Sequence, residues 1–179
     1  GLGDVYKRQL IRRLMEAGEE FDITPYGMEA LGVMRIEKGH AAGNELNGTT
    51  TALNLGLGRM VSKTKDSIGS ILSEREGLTR DDALIQVGFK PVDPNDPVVA
   101  GSHLMNIDDP ANAAHDQGYI TSAAYSPCLE SSIGIGFLKN GATRKGEIIR
   151  AMNPVEGSEI MVEVVSAHFV DPEGERLRA

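Results

Sequence analysis

Tryptophan is absent from this sequence, and aromatic residues of all kinds make up only 4% of it. A pocket for a flat heterocycle ordinarily recruits aromatic rings, so the chain is expected to carry only part of any such pocket. Cysteine is equally scarce. The single Cys128 can form no disulfide within the chain and cannot supply a multi-cysteine zinc site, which suits a reducing compartment. No apolar run approaches the roughly 18 residues a membrane-spanning helix needs, and the N-terminus lacks the positive-then-apolar pattern of a signal peptide. A cytoplasmic protein with no membrane partner is therefore expected. Basic residues are in deficit too, with 18 Lys and Arg against 26 Asp and Glu and a formal charge of −8. That sign opposes binding to phosphate backbones, so no nucleic-acid partner is expected.

What is present fits a globular protein. The chain has 179 residues, of which 40% are hydrophobic and 25% charged. At that size folding buries roughly 68–70% of the unfolded surface, and the composition rules out disorder and collagen-like structure. The first residue is Gly1, not Met. Residues 1–9 (GLGDVYKRQ) have no apolar period and resemble a translated sequencing-adapter scar ahead of a truncated reading frame; a mobile native terminus is the alternative.

From Leu10 the apolar residues Leu10, Ile11, Leu14 and Met15 recur at helical spacing, and Gly18 stands where a C-terminal cap belongs. A second helix is predicted over Pro25–Glu37, with Thr24 as N-cap, Pro25 at the first helical position and a stop at Lys38-Gly39. Residues 40–58, rich in Gly, Asn and Thr, read as turns, with Thr49–Leu53 as a candidate extended piece. A short third helix is predicted over Asp66–Glu76. Beyond Thr79 the period becomes two. Ala83–Phe89, Val98–Met105, Gly118–Tyr125, Ile133–Leu138, Glu147–Met152 and Glu159–Ser166 read as strands separated by turn clusters such as PVDPNDP and KNGATRKG. The expected fold is α+β: short helices, then a small six-stranded antiparallel β-barrel. The domain boundary is expected within Arg75–Arg80, giving a helical region over 10–76 and a barrel domain over 80–179.

Most single motifs carry little. Gly56-Leu57-Gly58 and Gly134-Ile135-Gly136 lack the third glycine of a dinucleotide fingerprint, and the second pair lies inside a strand pattern, where close packing explains a glycine better. His40, His103, His115 and His168 are scattered with no metal-ligand spacing, so no metal is expected. Cys128, with no histidine near it in sequence, reads as a small residue at the barrel rim. Arg35-Ile36-Glu37-Lys38-Gly39 followed by Gly43-Asn44-Glu45 is different: an arginine and a glutamate two apart point to different sides of a helix end, with a second glutamate in the turn that follows. These can brace the loop or line a site.

That stretch, PYGMEALGVMRIEKGHAAGNEL, resembles the helix ending in R-L-E-A-G and the turn after it in the folate-dependent aminomethyltransferase family of the glycine-cleavage T-protein. Within that superfamily it is most similar to the C-terminal part of the alpha subunits of heterotetrameric sarcosine oxidases. Five segments carry the resemblance in order: Ile23–Gly27, Arg35–Gly39, Met60–Gly69, Tyr125–Ile133 and Asp171–Arg176. It runs from Leu10 to Leu177.

The resemblance implies a folate-binding body ending in a small barrel. It implies a complex that demethylates sarcosine at a flavin, forms glycine and hydrogen peroxide, and passes the one-carbon unit to tetrahydrofolate as 5,10-methylenetetrahydrofolate. Tetrahydrofolate would belong to this module. FAD, FMN and NAD would sit elsewhere in the complex, and the partners would be the beta, gamma and delta subunits. Arg35, Glu37 and Glu45 match family motif positions and become candidate folate-site residues, as does Tyr26 as a stacking ring; no catalytic residue is expected here. The family's folate-contacting arginine corresponds to Leu31, its C-terminal tyrosine has no counterpart in Asp171–Ala179, and its catalytic-region aspartate belongs to a segment upstream. Two alternatives remain: a free-standing aminomethyltransferase and a non-catalytic barrel that docks subunits. Under every reading the isolated chain is expected to be inactive.

Overall fold

The structure, a computed structural model, describes residues 2–176 and 178. Gly1, Leu177 and Ala179, where the adapter-like segment begins and the resemblance ends, lie outside the described residues. By contacts the chain forms two compact units, residues 1–31 and 32–179.

In the first unit helix α1 runs Leu2–Gly18, beginning eight residues before the Leu10 start that the apolar spacing predicts. Tyr-Lys-Arg-Gln contains no helix breaker, and Gly3 falls in the first turn, where its cost is small. The helix ends at Gly18 as the spacing predicts, with the Ile23 amide donating to the Gly18 carbonyl at 3.1 Å. Leu10, Ile11 and Leu14 stay 59%, 60% and 53% exposed, so the amphipathic stripe is present but uncovered.

Helix α2 spans Met28–Glu37, and the unit boundary falls within it. It starts three residues later than expected. The Thr24 hydroxyl donates to the Asp22 carbonyl instead of capping, and the Leu31 amide makes the first helical bond to the Gly27 carbonyl at 3.0 Å. Gly27 before the helix explains the delay, because a glycine loses more freedom than any other residue on entering a helix. The C-terminal stop is where the sequence puts it. Gly39 adopts φ +73, its amide donates to Ile36 O at 3.0 Å, and the His40 amide donates to Arg35 O at 2.8 Å. This is the paired bonding of a Schellman cap.

Residues 40–69 form turns and one 3-10 turn, and the extended piece expected at Thr49–Leu53 is instead organised around Asn54. The Asn54 side chain accepts from the Thr51 amide at 2.7 Å and donates to the Leu84 carbonyl at 2.7 Å, tying the loop to the first strand. The third expected helix shrinks to α3, Ser70–Ser73. Gly69 at φ +91 stops it on one side, and Ile68 and Ile71, 108% and 83% exposed, find no surface to cover.

Six strands follow: β1 Leu84–Pro91, β2 His103–Met105, β3 Gly118–Ser126, β4 Ser131–Lys139, β5 Ile148–Asn153 and β6 Ser158–Val165. They close into an antiparallel barrel in the order β1-β4-β3-β2-β5-β6, with β6 pairing back onto β1. The α+β architecture with a six-stranded barrel is therefore the one present. β2 is shorter than expected because Val98–Ser102 is a turn, with Gly101 at φ +86. The Val98 amide donates to the Ser132 hydroxyl at 2.9 Å, and its side chain joins the interior cluster. Phe89, Leu104, Ile120, Leu138, Ile149 and Val164 fill that interior at 0% exposure, as expected for a barrel too narrow to hold anything but side chains. Gly136 in β4 marks a close approach of β3: a Cβ there would lie 2.3 Å from the Tyr119 carbonyl oxygen. Strand packing, not phosphate binding, accounts for the Gly134-Ile135-Gly136 motif.

Candidate functional site

The last turn of α2 lies on the outside of the barrel, across β3 and β4. Ile36, 4% exposed, packs with Ile133 and Ile135 of β4, flanked by Ala124, Leu129, Ala167 and Phe169. Burying one such side chain is worth roughly 1.5–3 kcal/mol. This fixes the direction of the two residues flanking Ile36 in the sequence, Arg35 and Glu37.

Arg35 reaches the loop behind the helix. Its Nη1 donates to Glu45 Oε2 at 2.9 Å and its Nη2 to Ser122 Oγ at 2.7 Å. The Ser122 hydroxyl donates to Glu45 Oε1 at 2.7 Å, and the Ala42 amide donates to Glu45 Oε2 at 2.8 Å. The adjacent Asn44 donates from Nδ2 to the Thr121 carbonyl at 3.2 Å. The G-N-E turn is thus held on β3 by two side chains, and the Arg35 side chain keeps 22% of its surface exposed while that of Glu45 keeps none.

Burial is the largest influence on the Glu45 carboxyl and pushes its pKa up. The donors around it together outweigh burial and hold it below the usual 4.5. The Thr121 hydroxyl also lies near, but its one proton is committed to the Ile135 carbonyl at 3.0 Å. The working donors are therefore Ala42, Ser122 and Arg35.

Glu37 is 6% exposed and accepts from the Ser126 hydroxyl at 2.5 Å. Its carbonyl accepts the Phe169 and Val170 amides at 2.8 and 3.0 Å. Lys38 pairs with Asp171 at 3.2 Å, so the DPEGER segment anchors the end of α2. The structure thus brings Arg35, Glu37 and Glu45 together at one face of the barrel. Tyr26 belongs to the N-terminal unit, where its ring is 65% exposed. Leu31, in that same unit, is 41% exposed. Among the described residues no buried side-chain nitrogen or oxygen lacks a partner.

Sequence reasoning missed Ser122 and Ser126, and it singled out Asn44 only as part of the turn. Small residues at alternate positions of a strand are a cue to close helix approach, and here the outward set is Ser122, Ala124 and Ser126. Which face they occupy depends on a strand irregularity that no local pattern announces.

Elsewhere the chemistry is sparse. The Met60–Gly69 motif contributes to a cleft of about 680 Å³ whose Lys63 and Lys65 are matched by Asp66 and Glu74, leaving no preference for one sign of charge. Cys128 is exposed. His103 pairs with Asp116 at 2.8 Å, and the His168 ring contacts the Lys38 carbonyl at 2.8 Å. No three His, Cys, Asp or Glu side chains among the described residues gather as a metal site. No helix among them is long and apolar enough to cross a membrane.

Residues 3–65 match the family model described as the GCVT N-terminal domain, and residues 86–171 match that of the glycine cleavage T-protein C-terminal barrel domain. The chain is 40% identical over 173 residues to the sarcosine oxidase subunit alpha of Rhizobium meliloti (strain 1021), covering 96% of this chain and 18% of that one. It is 37% identical over 163 residues to the sarcosine oxidase subunit alpha of Corynebacterium sp. (strain U-96), covering 89% of this chain and 17% of that one. An aminomethyltransferase of Halothermothrix orenii is 33% identical over 163 residues, covering 88% of this chain and 42% of that one. The fold also matches the crystal structure of the glycine cleavage system aminomethyltransferase T from Bartonella henselae. There the TM-score is 0.69 at 22% identity, covering 92% of this chain and 44% of that one. The chain spans less than a fifth of the sarcosine oxidase subunits and less than half of the aminomethyltransferases it matches.

Proposed function

The chain belongs to the glycine-cleavage T-protein family, and from that premise we propose that it works as the C-terminal part of a sarcosine oxidase alpha-type subunit. In this reading it forms one wall of the tetrahydrofolate site that accepts the one-carbon unit from oxidative demethylation of sarcosine. The observation that carries the reading is the 40% identity to a sarcosine oxidase alpha subunit over nearly the whole chain, against 33% to an aminomethyltransferase.

The residues present suit such a wall in a limited way. Arg35 keeps exposed surface beside its buried partners, which suits a carboxylate on the ligand. Glu37 and Glu45 are committed to Ser126 and to Arg35, Ala42 and Ser122, so their part is to shape and brace the wall. Tyr26, in the N-terminal unit, offers an exposed face on which a flat ring can stack. When bound, tetrahydrofolate supplies the nucleophilic nitrogen that takes up the one-carbon unit. The chain's own contribution is to position and to exclude water. The flavins and NAD, the beta, gamma and delta subunits, and the amine-binding residues belong to the rest of the complex, and the assembly acts in the cytoplasm. Expected boundaries for the modules are residues 10–76 for the folate-domain part and 80–179 for the barrel.

The test is titration of the complete subunit with tetrahydrofolate before and after Arg35→Ala and Glu45→Ala. Weaker binding in both is expected; unchanged affinity in both removes these residues from the site. The purified 179-residue chain should release no peroxide from sarcosine, and peroxide release would overturn that expectation.

A further inference from the structure

β3 and β4 pair in register from Gly118↔Leu138 to Ile120↔Gly136, and again from Ser122↔Ile135 to Ser126↔Ser131. Thr121 is the extra residue between them, a β-bulge. Its consequence is a change of parity along β3. Ile120 is fully buried in the barrel interior, and without the bulge Ser122, two residues on, would point the same way. With it, Ala123 packs on the interior while Ala124 packs outside with Ile36. Ser122 and Ser126 share that outer face, and each holds one carboxylate, Glu45 and Glu37 respectively.

The bulge is also the seat of the G-N-E turn. Asn44 takes the Thr121 carbonyl at 3.2 Å, the Thr121 hydroxyl is fixed to Ile135 O at 3.0 Å, and Ser122 takes both Glu45 and Arg35 at 2.7 Å. Ser122 therefore accepts from Arg35 and donates to Glu45 at once, so the guanidinium plane is set at two points. Ala124 between the two serines lets the helix approach closely enough for both bonds.

We propose that the β3 bulge at Thr121–Ser122 is a positioning device, with Ser122 as the positioning residue that aims the exposed edge of Arg35 toward a carboxylate-bearing ligand. This rests on the proposed function, which identifies that ligand as tetrahydrofolate. The barrel then does more than cap the fold: it sets the direction of a binding side chain carried by α2.

The experiment uses the complete subunit in its complex. Tetrahydrofolate is titrated into wild type, Arg35→Ala, Ser122→Ala and Ser122→Thr at a temperature well below each variant's unfolding midpoint. Ser122→Ala is expected to weaken binding about tenfold, the loss of one hydrogen bond to a charged group, and Ser122→Thr, which keeps the hydroxyl, should restore most of the affinity. Wild-type affinity in folded Ser122→Ala, with Arg35→Ala weakened, overturns the positioning role alone. A wild-type complex that does not bind tetrahydrofolate overturns the proposed function and the positioning role together. A lowered unfolding midpoint with unchanged affinity makes Ser122 structural only and also overturns the proposal.

Discussion

Glu45→Ala tests whether the turn after α2 is held by the buried charge cluster. The carboxylate is fully buried and accepts three hydrogen bonds, from Ala42 N at 2.8 Å, Ser122 Oγ at 2.7 Å and Arg35 Nη1 at 2.9 Å. Removing it leaves three donors without their acceptor and a guanidinium without its counter-charge. Breaking a buried pair by deleting one partner costs about 3–5 kcal/mol. Arg35 is 22% exposed, so water reaches part of it and the lower half of that range, about 3–4 kcal/mol, is expected here. For a chain of this size each kcal/mol moves the midpoint by about 2–4 °C, so the variant should melt roughly 6–16 °C lower. With no tryptophan to report by fluorescence, the assay is far-UV circular dichroism of the strand signal. The decisive measurement is a double-mutant cycle with Arg35→Ala, in which the two losses should overlap by about 2 kcal/mol. Fully additive losses would refute the cluster as an energetic unit. So would a Glu45→Ala midpoint within a degree of wild type.

The same carboxyl gives a pH prediction. Its folded pKa lies below the ordinary 4.5, so the native state binds fewer protons than the unfolded chain between the two values. Its stabilisation is complete above about 4.5 and is lost as the pH falls through the folded value; Glu45→Gln should flatten the stability-against-pH curve in that acid window, and an unaltered curve would refute the assignment. Gly136→Ala should cost more than about 2 kcal/mol in denaturant unfolding, because the new methyl meets backbone at 2.3 Å from Tyr119 O and 2.7 Å from Ile120 Cα. Ile68→Ser should fall within about 0.5 kcal/mol of wild type, since the side chain is fully exposed.

Much of this architecture was legible locally. The strand positions follow from alternating apolar residues and turn clusters, and the end of α2 from Gly39, since a glycine takes a positive φ without strain. Local pattern failed where an element needs a partner surface. Asp66–Glu76 has helical spacing, yet only Ser70–Ser73 is α-helical, because Ile68 and Ile71 cover nothing. Leu2–Gln9 has no apolar stripe but continues α1, because helix propensity alone suffices there.

By itself the sequence determined the family, the barrel, and which residues are chemically capable of forming the cluster, since residue type and period are local properties. What Arg35, Glu37 and Glu45 do was decided by tertiary structure. Their partners Ser122 and Ser126 lie 77 to 89 positions away in the chain, and the outer face they occupy is set by one extra residue in β3. Inserting that residue reverses the side of the sheet to which every later side chain points. A strand's period of two shows that there are two faces; only the pairing with β4 shows which face the serines occupy.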